Sequence, residues 1–172
     1  KMHNNYAKAT IKKQRFIGKA DSLTQKYFRE WDDPRIGVRS AWYVNWDKHA
    51  YISLKNNIKH LNMVLPEWFF INPKTDKVEY RIDKQALRLM RRTGIPVLPM
   101  LTNNYNSDFH PEAIGRIMRD EKKRMVLINE MVGTCRRYGF AGINLDLEEL
   151  NIQDNDLLVE LLKDFSRVFH AN

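Results

Sequence analysis

Beyond Pro34 the chain alternates between short apolar runs and stretches with an apolar residue at every third or fourth position. Ile36 to Val44 predicts a strand, and Ser53 to Leu61 a helix with Leu54, Ile58 and Leu61 on one face. Asn62 to Ile71 (NMVLPEWFFI) predicts a second strand. Asp83 to Thr93 predicts a helix through Ala86, Leu87 and Met90, and Ile95 to Leu101 a third strand. Pro111 suits a first helical position and opens a helical region running to Tyr138, with a break near Asp120. A fourth strand lies in GFAGINLDLEEL (139–150), and Asn155 to Phe169 closes with a helix. Before Asp32-Asp33-Pro34 the chain is polar, with one short helical stretch from Ser22 to Trp31. The expected organisation is a basic polar extension or linker over 1–35 and one folded unit over 36–172.

Two junctions repeat. Arg91-Arg92-Thr93-Gly94 precedes IPVLPM, and Arg136-Arg137-Tyr138-Gly139 precedes FAGINL. Each puts cations in a last helical turn, where they favour the dipole, and glycine at the stop. Strand and helix thus alternate four times, which predicts an α/β fold of right-handed βαβ units with a parallel sheet. The fourth strand then raises a question, because Asn144, Asp146 and Glu148 fall on one face and Ile143, Leu145 and Leu147 on the other. Alone, such a pattern fits a half-exposed strand. In a parallel sheet covered by helices, three buried polar groups without hydrogen bonds would each cost about 2–7 kcal/mol. The interior of a barrel, where working groups sit at the C-terminal strand ends, removes that conflict. Other predicted strand ends carry Trp42, Tyr43 and Asn45, then Glu67, Trp68 and Phe70, then Asn103, Asn104, Tyr105 and Asn106. Flat rings and amides at one end suit a sugar, although residues such as Trp68 and Phe70 are more often core than sugar platforms.

Composition narrows the alternatives. The length of 172 residues and the 43% hydrophobic content fit one domain. No run of about 18 apolar residues predicts a membrane span. The opening Lys1-Met2-His3-Asn4-Asn5 lacks a secretory signal pattern, which suggests a start internal to a longer chain. The single Cys135 excludes an internal disulfide. The net charge of +8 is concentrated early: residues 1–35 hold 9 bases against 4 acids, and the first 20 hold six bases and no acid. That stretch reads as a solvated linker or a membrane-surface contact. It lacks the aromatic platforms of a single-strand nucleic-acid binder, so no nucleic acid is expected. His3, His49, His60, His110 and His170 show no metal-ligand spacing, and no Gly-rich phosphate loop or GxSxG elbow occurs. No cofactor or metal is expected.

The segment Ala141-Gly-Ile-Asn-Leu-Asp-Leu-Glu148 resembles the DGxDxDxE signature of glycoside hydrolase family 18, the chitinase-like barrels, at the end of their fourth strand. Pro99-Met-Leu-Thr-Asn103 is similar to the spore-cortex-lytic branch, where the same Asn as Asn144 occurs. Trp42-Tyr-Val-Asn-Trp46 and Pro66-Glu-Trp-Phe-Phe70 look like family-18-like domains of bacterial membrane proteins that also carry a polysaccharide deacetylase or a processive glycosyltransferase. The resemblance covers roughly residues 36–170. It implies a (β/α) barrel of TIM type, of which only the first four βα units are present. It also implies retaining hydrolysis of β-linked N-acetylglucosamine polymers assisted by the substrate's acetamido group. Glu148 would be the general acid and then the base, Asp146 would orient the acetamide, and Asn144 would hold Asp146 by a hydrogen bond. Tyr43, Trp42, Glu67, Trp68, Asn103, Asn104 and Tyr105 would contact substrate. Ala141 departs from the signature's first Asp, and four units cannot close a barrel. The expected partners are therefore a polysaccharide and the rest of the barrel, supplied by a longer chain or a second copy. A non-catalytic polysaccharide-binding module is the alternative. Either function points to an extracytoplasmic location on a membrane-anchored parent.

Overall fold

In a computed structural model, residues 22–172 are described; the basic stretch 1–20, the candidate membrane contact, lies outside them. Helix α1 (Ser22–Asp32) is followed by β1 (Ser40–Tyr43), α2 (Ala50–Asn57) with a 3-10 turn (Ile58–His60), and β2 (Met63–Ile71). Then come β3 (Val78–Tyr80), α3 (Lys84–Thr93), β4 (Met100–Thr102), and a hairpin of β5 (Asn104–Tyr105) and β6 (Asp108–Phe109). The chain ends with α4 (Pro111–Met118), α5 (Glu121–Tyr138), β7 (Asn144–Asp146), a 3-10 turn (Ile152–Asp154) and α6 (Asn155–Ala171). No helix among the described residues is long and apolar enough to cross a membrane.

The main strands pair in the order β1-β2-β4-β7, and every one of these pairings is parallel. Each crossover therefore steps to the next strand on the same side. That is the wall of a barrel, whereas a doubly wound sheet would reverse its order. Against β2, β3 adds an antiparallel ladder at Phe69–Ile71, past the point where β1 stops.

Helix boundaries follow local chemistry. Asp83 caps α3 by accepting from the Gln85 and Ala86 amides, and Asp120 caps α5 through Lys122 and Lys123. Gly94 and Gly139 end these helices at φ 67° and 70°, the left-handed conformation glycine reaches without a Cβ clash. The core forms between the sheet's outer face and the helices. Val64, Phe69, Ile71 and Leu101 meet Met90 of α3, Ile114 and Ile117 of α4, Ile128 and Met131 of α5, and Leu161 of α6, all at most 1% exposed. Burial of each such side chain contributes about 1.5–3 kcal/mol. Tyr27 of α1 joins this core, and its hydroxyl donates to the Thr93 carbonyl (3.2 Å).

Several expected boundaries shift for physical reasons. The first strand begins at Ser40 instead of Ile36 because a turn forms first: the Ile36 and Gly37 amides donate to the Asp33 carbonyl. The third shortens to Met100–Thr102, since Pro96 and Pro99 offer no N–H to a ladder, and Val97 makes only an isolated bridge with Val64. The second helix starts at Ala50 and tightens into 3-10 geometry at Ile58. Strand β3 and the β5–β6 hairpin are too short to show a period.

Candidate functional site

Register assigns each strand residue to a face. Trp42 pairs with Leu65, Glu67 with Met100 and Met100 with Asn144; Phe70 pairs with Thr102 and Thr102 with Asp146. These residues share the inner face of the barrel wall. Ile143, Leu145 and Leu147 pack against the helix-side core, so Asn144 and Asp146 turn inward, and Glu148 follows two residues past the strand's end. The question raised by the fourth strand resolves in favour of an inner polar face.

That face is open at the C-terminal strand ends. Glu148 is exposed just past β7; Trp42 within β1 and Trp46 beyond it are 73% and 76% exposed. Trp46 is oriented by its indole N–H, which donates to Glu67 Oε2 (3.0 Å). The carboxylate on β2 thereby sets the angle of the ring. Among the described residues no hydrogen bond joins Asn144 to Asp146. Their Cα atoms stand roughly 7 Å apart along the strand, and the two side chains do not lean together across that gap. Two concavities lie elsewhere, one along α6 at Val159 and Leu162, the other under α1 beside Tyr27.

Three of the expected substrate contacts, Tyr43, Trp68 and Asn103, are buried. Tyr43 is buried on the helix side, donates its hydroxyl to Asp83 and meets the Trp68 ring edge-on at 6.4 Å. Burial and the Asp83 contact push its hydroxyl well above the usual range. Trp68 is fully buried against Phe140, and its indole donates to Asn45 Oδ1 (2.9 Å). As the neighbour of inward Glu67 it falls on the core face by alternation, and the register shift between Glu67 and Phe69 puts Phe69 on that face too. Neither ring is a sugar platform. Asn103 is fully buried; its Nδ2–H donates to the Glu148 carbonyl and its Oδ1 accepts from the Glu148 amide, both at 2.9 Å. Tyr105, half-buried, donates to Glu79 (2.9 Å), which also takes Asn72 Nδ2; these bonds hold the Glu79 carboxyl below its ordinary range. Asn104 lies beside it, half-buried, its amide on Thr102 Oγ1 (3.0 Å).

Sequence reasoning missed three features. The Arg81 guanidinium lies 4.3 Å above the Phe70 ring and 5.2 Å from Tyr105, which covers inner-face Phe70. After Glu148 the backbone turns at Glu149 with φ 53°, a conformation costing a non-glycine residue about 1–3 kcal/mol. The segment is then tied down by Asp154, 2% exposed, which accepts both Arg119 contacts (2.6 and 2.7 Å). Gly115 makes room, since a Cβ there would lie 3.0 Å from both partners. No short motif signals these ties, because their partners lie 11 to 45 positions apart.

The fold is a partial (β/α) barrel, and its structural neighbours are class V chitinases and spore cortex-lytic enzymes, glycoside hydrolase family 18-like proteins. Among them, a class V chitinase from Pseudomonas fluorescens superposes with a TM-score of 0.72 at 19% identity, over 77% of this chain and 41% of that one. The spore cortex-lytic enzyme of Bacillus cereus gives 0.67 at 16%, over 74% and 32%. In sequence, the chain is 33% identical over 85 residues to the cortical fragment-lytic enzyme of Bacillus subtilis, covering 49% of this chain and 20% of that protein. The chain thus spans about a fifth of the curated relative it matches. No family model matches it.

Proposed function

We propose that this chain is part of a chitinase-like glycosidase acting on β-linked N-acetylglucosamine-containing polysaccharide outside the cytoplasm. Glu148 donates a proton to the glycosidic oxygen as the C1–O bond breaks. The substrate's acetamido oxygen attacks C1 in the same step and gives a cyclic oxazolinium. Asp146, on the same face two residues earlier, orients that acetamide and balances the positive ring. Water, deprotonated by Glu148, then attacks C1 as the oxazolinium C1–O bond breaks, which frees the acetamide and restores the carboxylic acid. Asn144 extends the polar face below. Trp42 and Trp46 offer ring faces to further sugars, with Glu67 holding Trp46.

The observation that carries this reading is the exposed Glu148 at the C-terminal end of β7, sharing its face with half-exposed Asn144 and Asp146. Such strand ends carry the chemistry of barrel enzymes. The full-length protein should release chromophore from a chitobioside, and Glu148→Gln should lower the rate about 10²–10⁴-fold, the usual worth of a general acid. Intact substrate with oligosaccharide still bound, in wild type and variant alike, favours a non-catalytic binding module. The two exposed tryptophans would serve that module equally well.

A further inference from the structure

We propose that Asn103 is a positioning residue for Glu148, a role that deepens the glycosidase reading and rests on it for its catalytic meaning. The parallel ladder between β4 and β7 ends at Thr102 opposite Asp146. Beyond Thr102 the β4 backbone turns away: the Asn103 carbonyl accepts from His110 (3.0 Å), at the base of the β5–β6 hairpin. Its side chain takes over the pairing. The primary amide lies against both the N–H and the C=O of Glu148, each at 2.9 Å.

Only one amide orientation satisfies both contacts, since Nδ2 must face the carbonyl and Oδ1 the N–H. Asparagine supplies one donor and one acceptor at the spacing of a peptide group. It continues the sheet by one rung without backbone. Full burial keeps water from competing for either bond. Glu148 is thereby fixed on one side by this clamp. On the other lie the left-handed turn at Glu149 and, five residues further, the Arg119–Asp154 tie. An exposed carboxylate on a rigid backbone is delivered in one direction, and a misplacement near 1 Å costs such a catalyst about 10²-fold.

Two measurements on the full-length protein separate this role from the glycosidase reading. In wild type the Glu148 amide should be protected from exchange, with a backbone order parameter near ~0.85. In Asn103→Ala, exchange at Glu148 should rise roughly tenfold or more while Leu101 and Leu145 keep their protection, and the order parameter should fall toward ~0.6. On chitobioside, kcat should drop about 10–100-fold with KM within about twofold. Asn103→Asp, which keeps the volume and the acceptor but sets an oxygen against the Glu148 carbonyl, should show the same split if the alanine variant does not fold. Unchanged exchange and order at Glu148 in a folded variant overturn the clamp. A rise in KM at constant kcat assigns Asn103 to sugar binding instead, and loosened Glu148 with unchanged kcat removes its catalytic meaning. A wild type that cleaves nothing defeats the glycosidase reading, while the relaxation data still decide the clamp.

Discussion

The two ends of the barrel wall each hold a fully buried asparagine, and the two are used in opposite ways. At the N-terminal end, Asn62 accepts from the Arg39 amide (2.7 Å) and donates to the Gly37 carbonyl (2.8 Å) and Glu30 (3.3 Å). The Asn62 carbonyl takes the Trp31 indole (3.0 Å). These bonds weld α1 and the approach to β1 onto the entry of β2. At the C-terminal end, Asn103 holds one residue, and Asn104, Tyr105, Asp146 and Glu148 beside it stay exposed or half-exposed. One end is satisfied internally and the other is left with groups to spare. In a (β/α) barrel that polarity separates stability from chemistry.

Mutations should keep the two ends apart. The largest effect on folding is expected from Asn62→Ala, which removes three side-chain bonds and strands buried backbone groups. About 3–4 kcal/mol should be lost, seen as a fall in Tm of roughly 6–16 °C for a chain of this size. Glycan binding by the molecules that remain folded should not change, and a loss there would collapse the distinction between the ends. Next comes Arg119→Ala, which leaves Asp154 buried without its cation and should cost roughly 3 kcal/mol. Asp154→Asn should cost less, because Arg119, 46% exposed, can swing into water. Denaturant midpoints give both values; equal losses would mean the bridge is not the tie described.

The smallest effect concerns acid. Hydrogen bonds from Arg116, then from Lys123, hold the Asp76 carboxyl below its ordinary value despite partial burial. A carboxyl depressed in the folded state adds stability that is complete above the unfolded value near ~4 and vanishes as pH falls through the folded one. Asp76→Asn should therefore be less stable than wild type by up to about 1 kcal/mol at pH 6, and the gap should narrow at pH 3. A gap that widens on acidification would reverse the assignment.

Local signals in the sequence located the helices well. Asp83, Asp120, Pro111, Gly94 and Gly139 act within a turn of themselves, so their chemistry can be read in place. The inward face of β7 followed from alternation of period two. The same rule separates neighbours: Trp42 and Tyr43 cannot both face inward, and only Trp42 does. It likewise separates Glu67 from Trp68, which lies on the core face, while the register shift that follows keeps Phe69 there as well. Asn103 resembled a substrate contact because its true partner lies 45 positions away. Trp46 stood inside the aromatic segment, but its anchoring by Glu67 depends on the side-by-side placement of β1 and β2.

The outer flanks of the four-strand wall dictate what can be joined to it. Among the described residues β1 and β7 each have one neighbouring strand, and they run in the same direction. Continuing that ladder from either flank requires strands of the same sense, each returning through its own crossover of a dozen or more residues. A simple hairpin lacks that geometry. A partner that closed the ring would have to be built on the same repeating plan and be comparable in bulk to the wall it met.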